Sequence, residues 1–255
     1  MSALKSTAPR EFIEQLEQIL DLIKKRGIPL KLIGALAFNL HCPEFNYFHT
    51  KLGRVFTDLD FVGRYTDADA IRELFTSLGW EEDTMVTTLY GESRRIFNDP
   101  KSGLHADVFF DKLVFSHDLP LLERLEVDEL TIPLAELFVE KAQIFHINEK
   151  DIIDILMLLR EHPVGEIDQE TVNAPVIARL CASDWGLWKT VTMNMYKARA
   201  KLINYEKLTE KDQEIISGGL DKIARYIEQE PKSMGWKLRS KIGERMKWHK
   251  DVDEV

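Results

Sequence analysis

At 255 residues the chain can form one large domain or two modest ones and can bury a sizeable core. Apolar residues make up 44% and charged residues 30%, and a formal net charge of -9 disfavours bulk attraction to nucleic acid or an anionic membrane. The distant cysteines Cys42 and Cys181 offer no metal or redox spacing and read as reduced thiols.

No apolar run is long enough to span a bilayer, and "MSALKSTAPR" lacks the apolar core of a signal peptide. A cytoplasmic protein with no membrane partner is therefore expected. In "EFIEQLEQILDLIKKRG", Phe12, Leu16, Ile19, Leu20 and Ile23 recur at helical spacing, and Gly27 stops the helix. Pro29 to Ile33 reads as a short buried strand that turns at Gly34 into a helical segment, and residues 42–53 read as a loop. "RVFTDLDFVG", Arg54 to Gly63, has the β-branched and aromatic content of a strand. "TDADAIRELFTSLGW" reads as a helix capped by Thr66 and ended before Gly79.

Thr84 to Tyr90 and Arg94 to Asn98 read as strands. "DPKSG" then turns into a strand "LHADVFF", and "KLVFSH" is one more. From Pro133 onward the pattern is helical throughout. The expectation is an α+β protein with a small mixed sheet and flanking helices over residues 1–130, followed by an all-helical region over 131–255.

The aspartates of "TDLDF" are the first candidates for chemistry. Side chains alternate across a strand, so Asp58 and Asp60 share one face while Thr57, Leu59 and Phe61 share the other. Like charges that close repel, and a divalent cation removes the conflict; the alternative is a half-exposed strand with solvated acids. The same spacing at Asp67/Asp69 falls in the first turn of a helix, where negative charge suits the dipole. At Asp251/Asp253 it lies in a polar tail. In "LHADVFFD" the alternation puts Asp107 on a face with His105, Phe109 and Asp111, after a hairpin that could lay it beside the other two acids. Three carboxylates on adjacent strands make a platform for two Mg²⁺ (or Mn²⁺) ions, one for a triphosphate and one for an attacking hydroxyl. Asp111 reads as a turn residue, and His105 as a partly buried hydrogen-bonding histidine.

These pieces in this order resemble the DNA polymerase beta-type nucleotidyltransferase superfamily: a strand, a glycine turn into a helix ("LIGALA"), a strand with D-x-D ("TDLDF") and a later strand with a third acid ("HADVF"). The finer likeness is to the AbiEii-like abortive-infection nucleotidyltransferases. It rests on Gly34-Ala35-Leu36-Ala37, Arg54, Thr57-Asp58-Leu59-Asp60-Phe61, Lys141 and Lys150-Asp151-Ile152-Ile153-Asp154, covering roughly residues 29–160. The resemblance implies a nucleotidyltransferase core over 1–130 and a helical region over 131–255 that completes the cleft. It implies Asp58, Asp60 and Asp107 as catalytic metal ligands, with an NTP substrate held by Gly34, Ala35, Thr57, Lys141 and Asp151. An antitoxin partner is also implied. One departure stands out: Leu36 occupies the place of the family's small hydroxyl residue, which would weaken triphosphate binding and is what a non-catalytic nucleotide- or partner-binding descendant would carry.

Several of these residues also have readings of their own, Arg54 as an exposed arginine and Thr57 as a strand threonine. Lys141 falls in the apolar stripe Leu134, Phe138, Phe145, so its stem either snorkels to water or its ammonium faces a cleft. Asp151 sits three residues after Asn148, where an acid completes a capping box, while Asp154 points with Glu161 to the polar side. Farther on, Trp185 and Trp188 read as core packing. "PKSMGWKLRSKIGERMKWHK" gathers Lys237, Arg239, Lys241 and Arg245 between tryptophans, either as a solvated helix face or as a contact for an RNA backbone.

Overall fold

The computed structural model describes residues 6–51, 56 and 58–251. The chain divides into two units, Met1–Leu113 with Pro120–Ile132, and Val114–Leu119 with Pro133–Val255.

In the first unit, helix α1 (Arg10–Arg26) buries Phe12, Leu16, Ile19 and Leu20 and stops at Gly27, whose φ of 65° suits a residue without Cβ. The elements β1 (Lys31–Leu32), α2 (Gly34–His41), α3 (Tyr47–Lys51), β2 (Asp58–Gly63), α4 (Ala68–Ser77), β3 (Glu81–Glu82), α5 (Thr84–Tyr90), β4 (Arg94–Asn98) and β5 (His105–Phe110) follow. Five strands form one mixed sheet in the order β1-β2-β5-β4-β3. Its centre is the parallel pair β2/β5, with Asp58 opposite His105 and Asp60 opposite Asp107, and its other pairings are antiparallel. One face carries Leu59, Phe61, Phe97, Ala106 and Val108, all fully buried. Helix α4 covers that face, with Phe75 stacked on Phe97 at 4.4 Å between ring centroids and set edge-on to Phe61. The other face carries exposed Asp58 and His105 and half-buried Asp60, Asp107 and Phe109, and is covered only toward buried Val62.

Three expectations fail in this unit. Thr66 does not cap α4: it lies in a short 3-10 turn, Tyr65–Asp67, and Asp67 stands at the N-cap. Thr84–Tyr90 is a helix despite its β-branched threonines and valine, because the Asp83 side chain accepts from the N–H groups of Met85 and Val86 and caps it. The 42–53 stretch, read as a loop, contains α3.

Two short strands, β6 (Lys112–Val114) and β7 (Asp118–Pro120), pair where the chain passes between the units. The second unit continues with α6 (Leu134–Ala142), α7 (Glu149–Glu161), β8 (Val164–Gly165), β9 (Val172–Asn173), α8 (Ala174–Ser183), α9 (Trp185–Lys201), α10 (Glu210–Gln229) and α11 (Met234–Ile242). It is therefore mainly rather than wholly helical: Val164 and Val172 sit in register in a parallel two-stranded pair that the helical pattern of the sequence did not reveal. Helix α6 is buried on nearly every side, including Glu136 and Glu140, as befits a central helix. Trp185 is buried and packs near Trp188 as expected. Among the described residues, no helix is long and apolar enough to cross a membrane.

Candidate functional site

Strands β1, β2, β5 and β4 bring four of the expected residues, and one unexpected one, to the open side of the first unit. Asp58 is exposed and Asp60 half-buried on β2, and Asp107 stands opposite Asp60 on β5. A parallel register with equal side-chain phase puts all three acids on one face, as the alternation of the sequence predicted. At the end of β1 the backbone N–H of Ile33 donates to the carbonyl of Asp60 at 2.9 Å, which sets Gly34 directly against that residue. Gly34 has φ +69°, and a Cβ there would lie 2.2 Å from Asp60 Oδ2 and 3.0 Å from its Cγ. Two constraints thus require glycine: the left-handed backbone, and the carboxylate that occupies the space of a side chain. Ala35, next in α2, is half-buried, whereas Leu36 is only 2% exposed. The leucine turns into the core and adds no bulk at the surface of the turn, though it brings no hydroxyl there.

Asp107 has a partner that the sequence reading missed. Arg94, at the start of β4, clasps it with Nε at 2.9 Å from Oδ1 and Nη2 at 2.6 Å from Oδ2. The pair is largely buried, with the arginine side chain 28% and the aspartate 14% exposed. Burial pushes the Asp107 carboxyl above its usual range; Arg94 opposes that shift and the charge of Asp58 adds to it. The Arg94 guanidinium is held above its usual value, first by its hydrogen bonds to Asp107 and also by the charge of Asp60. Its guanidinium carbon lies 5.4 Å from the Phe109 ring centroid. Because β4 lies on the far side of β5 from β2, this clasp draws the Asp107 carboxylate away from the aspartate pair. Consistent with that, the oxygens of the three acids do not all lie within 4.8 Å of one another among the described residues. The signal for Arg94 was present in "RRIFN", where alternation separates Arg94 from Arg95, but only the register of the β4/β5 hairpin shows which arginine shares the face of Asp107.

A hard divalent ion fits the Asp58–Asp60 end of this face. The donors are carboxylate oxygens, which Mg²⁺ and Mn²⁺ prefer, and a glycine stands where any side chain would crowd Asp60. Asp111 takes φ 62° and its Oδ1 accepts from the Tyr65 N–H, so it is the turn residue expected. His105 is exposed and bonded to Asn98, as a hydrogen-bonding histidine. Arg54 and Thr57 lie outside the described residues.

Lys141 and Asp151 belong to the second unit, where they meet. The Lys141 ammonium does not snorkel to water: its side chain is 12% exposed, with Nζ 2.9 Å from Glu140, 3.9 Å from Asp154 and 4.0 Å from Asp151. Burial by itself would lower its pKa, but Glu140, Asp154 and Asp151 outweigh that and raise it, so the lysine is firmly charged. Asp151 completes a capping box with Asn148, as expected. Asp154, placed on the polar side by sequence, is instead fully buried; the lysine one turn of packing away makes that burial tolerable. A pocket of about 230 Å³ opens beside this group, lined by Phe115, Glu140, Lys141, Ile144, His146 and Asp151.

Of the basic C-terminal residues, Arg239 is committed to its own chain. It donates to the carbonyls of Gly243 and Met246 and lies 4.7 Å over the Trp185 ring, so its charge serves the fold. Lys237, Lys241 and Arg245 are exposed. No protein-family model, curated protein or solved structure matches the chain.

Proposed function

We propose that the chain is a Mg²⁺-dependent nucleotidyltransferase that moves a nucleoside monophosphate from an NTP to an acceptor, an RNA, protein or small molecule, with release of pyrophosphate. The observation that carries this reading is the contact of Gly34 with Asp60 on a sheet face that also holds Asp58 and Asp107. A glycine turn at the start of a helix supplies backbone N–H groups for phosphate oxygens, and the carboxylates beside it would hold the metal that accompanies them. Bound Mg²⁺ supplies charge neutralisation for the phosphoryl group. Asp58 and Asp60 hold it, Asp107 is the third acid of the site, and the N–H groups at Gly34 and Ala35 orient the phosphates. Lys141, with Asp151, is assigned to the triphosphate by resemblance. Exposed Lys237, Lys241 and Arg245 suit an RNA acceptor, and a toxin role would add an antitoxin partner.

A second reading, a non-catalytic module that binds a nucleotide or a protein partner, is favoured by the Arg94 clasp on Asp107 and by the missing hydroxyl at Leu36. The test incubates the protein with Mg²⁺, each α-labelled NTP, and total cellular RNA or protein. Label transfer by the wild type that is lost in Asp58→Asn/Asp60→Asn supports the transferase. Transfer that survives the double substitution refutes the assignment of these residues. Mg²⁺-dependent nucleotide binding in calorimetry without transfer selects the module.

A further inference from the structure

We infer that Arg94 is a resident cation that takes the place of a second metal ion, so that the site accepts one divalent ion, at Asp58 and Asp60, and not two. This rests on the reading that the Asp58–Asp60 face binds a divalent ion at all. Two ions in a carboxylate platform need the third acid as a ligand, and both oxygens of Asp107 are engaged by the guanidinium at 2.6 to 3.0 Å. A planar fork on a carboxylate is among the strongest polar pairings available to a protein, and here it is sheltered from water. Arginine keeps its charge at every physiological pH, so it cannot be displaced by deprotonation, only by a competing ion.

Arg94 is also well anchored. Its backbone lies in β4 opposite Phe109, and its guanidinium carbon lies 5.4 Å from that ring's centroid. A cation held on Asp107 neutralises the acid that a second ion would have to use, and repels that ion. The open face thus offers a hard ion the β2 acids next to Gly34, while both oxygens of Asp107 are held by Arg94. A nucleoside triphosphate bound there would be held through a single ion.

Equilibrium dialysis of the full chain against Mn²⁺, with bound ion counted by electron paramagnetic resonance, tests this without any activity readout. The wild type is expected to hold one Mn²⁺ per chain, and Asp58→Asn/Asp60→Asn none. Arg94→Met is expected to hold two, the second ion binding about tenfold or more tightly than to the wild type. Arg94→Met/Asp107→Asn should return to one. Two ions on the wild type, or one on a folded Arg94→Met, overturns the inference while leaving the metal-dependent reading intact. No ion on either protein overturns that reading itself and the inference with it. Should Arg94→Met fail to fold by circular dichroism, the wild-type count alone still decides.

Discussion

Replacing Gly34 with alanine probes the contact on which the site is built. The methyl group would meet Asp60 Oδ2 at 2.2 Å, Cγ at 3.0 Å and Cβ at 3.1 Å, on a backbone with φ +69°. A left-handed alanine costs about 1–2 kcal/mol, of which about 0.5 is returned by the stiffer unfolded chain. Forcing the methyl into occupied space adds roughly 1–3 kcal/mol. Gly34→Ala should therefore lose about 2–4 kcal/mol in urea denaturation followed by circular dichroism. The decisive comparison is the same substitution in Asp60→Ala, where Oδ2 and Cγ are gone and only the Cβ contact remains. The backbone cost persists there and most of the overlap does not, so the cycle should show a coupling of about 1–2 kcal/mol. If the two costs are instead equal within about 0.5 kcal/mol, the carboxylate does not occupy the space beside Gly34 and the site geometry is refuted.

Lys141→Met should destabilise the protein by about 3 kcal/mol, because it removes a buried cation from beside the buried carboxylates of Glu140 and Asp154. Since Lys141 has a raised folded pKa, its contribution is complete below about pH 10.4 and fades as the pH rises through the folded value. Wild type and variant should therefore converge in urea midpoint at strongly alkaline pH. His117 behaves in the opposite sense. Burial lowers its pKa to about 4, with Asp184 and Asp118 opposing the shift and His249 and Lys250 adding to it. The unfolded state takes up a proton near pH 6.5 that the folded state refuses. Stability attributable to His117 should fall by about 2 kcal/mol from pH 7 to 5 and level off below pH 4. His117→Gln should flatten that part of the profile, and a profile unchanged by the substitution would falsify the assignment.

Much of the open face was legible in residue order. Asp58, Asp60 and Asp107 interrupt apolar strands at the period that sends them to one side, and a period of two is a local property that needs no partner. Gly34 stood out for the same reason, as a turn between a buried strand and a helix. The capping box at Asn148 and Asp151 is likewise local, three residues wide, and came out as read. Thr84–Tyr90 shows the limit of composition: β-branched residues suggested a strand, while one cap at Asp83 settled a helix.

Tertiary structure decided what neutralises each acid. Asp107 looked like a metal ligand because it interrupts an apolar strand that could lie beside the other two acids; the arginine that balances it is 13 residues away and reaches it only through the register of β4 on β5. Asp154 looked solvated because its helix face was polar, yet packing turned that face inward against Lys141. Periodicity assigns a side chain to a face, and that much belongs to the sequence. Which charges share the face depends on pairing between distant segments, and the cost of burying an unpaired charge makes that pairing the factor that determines the site.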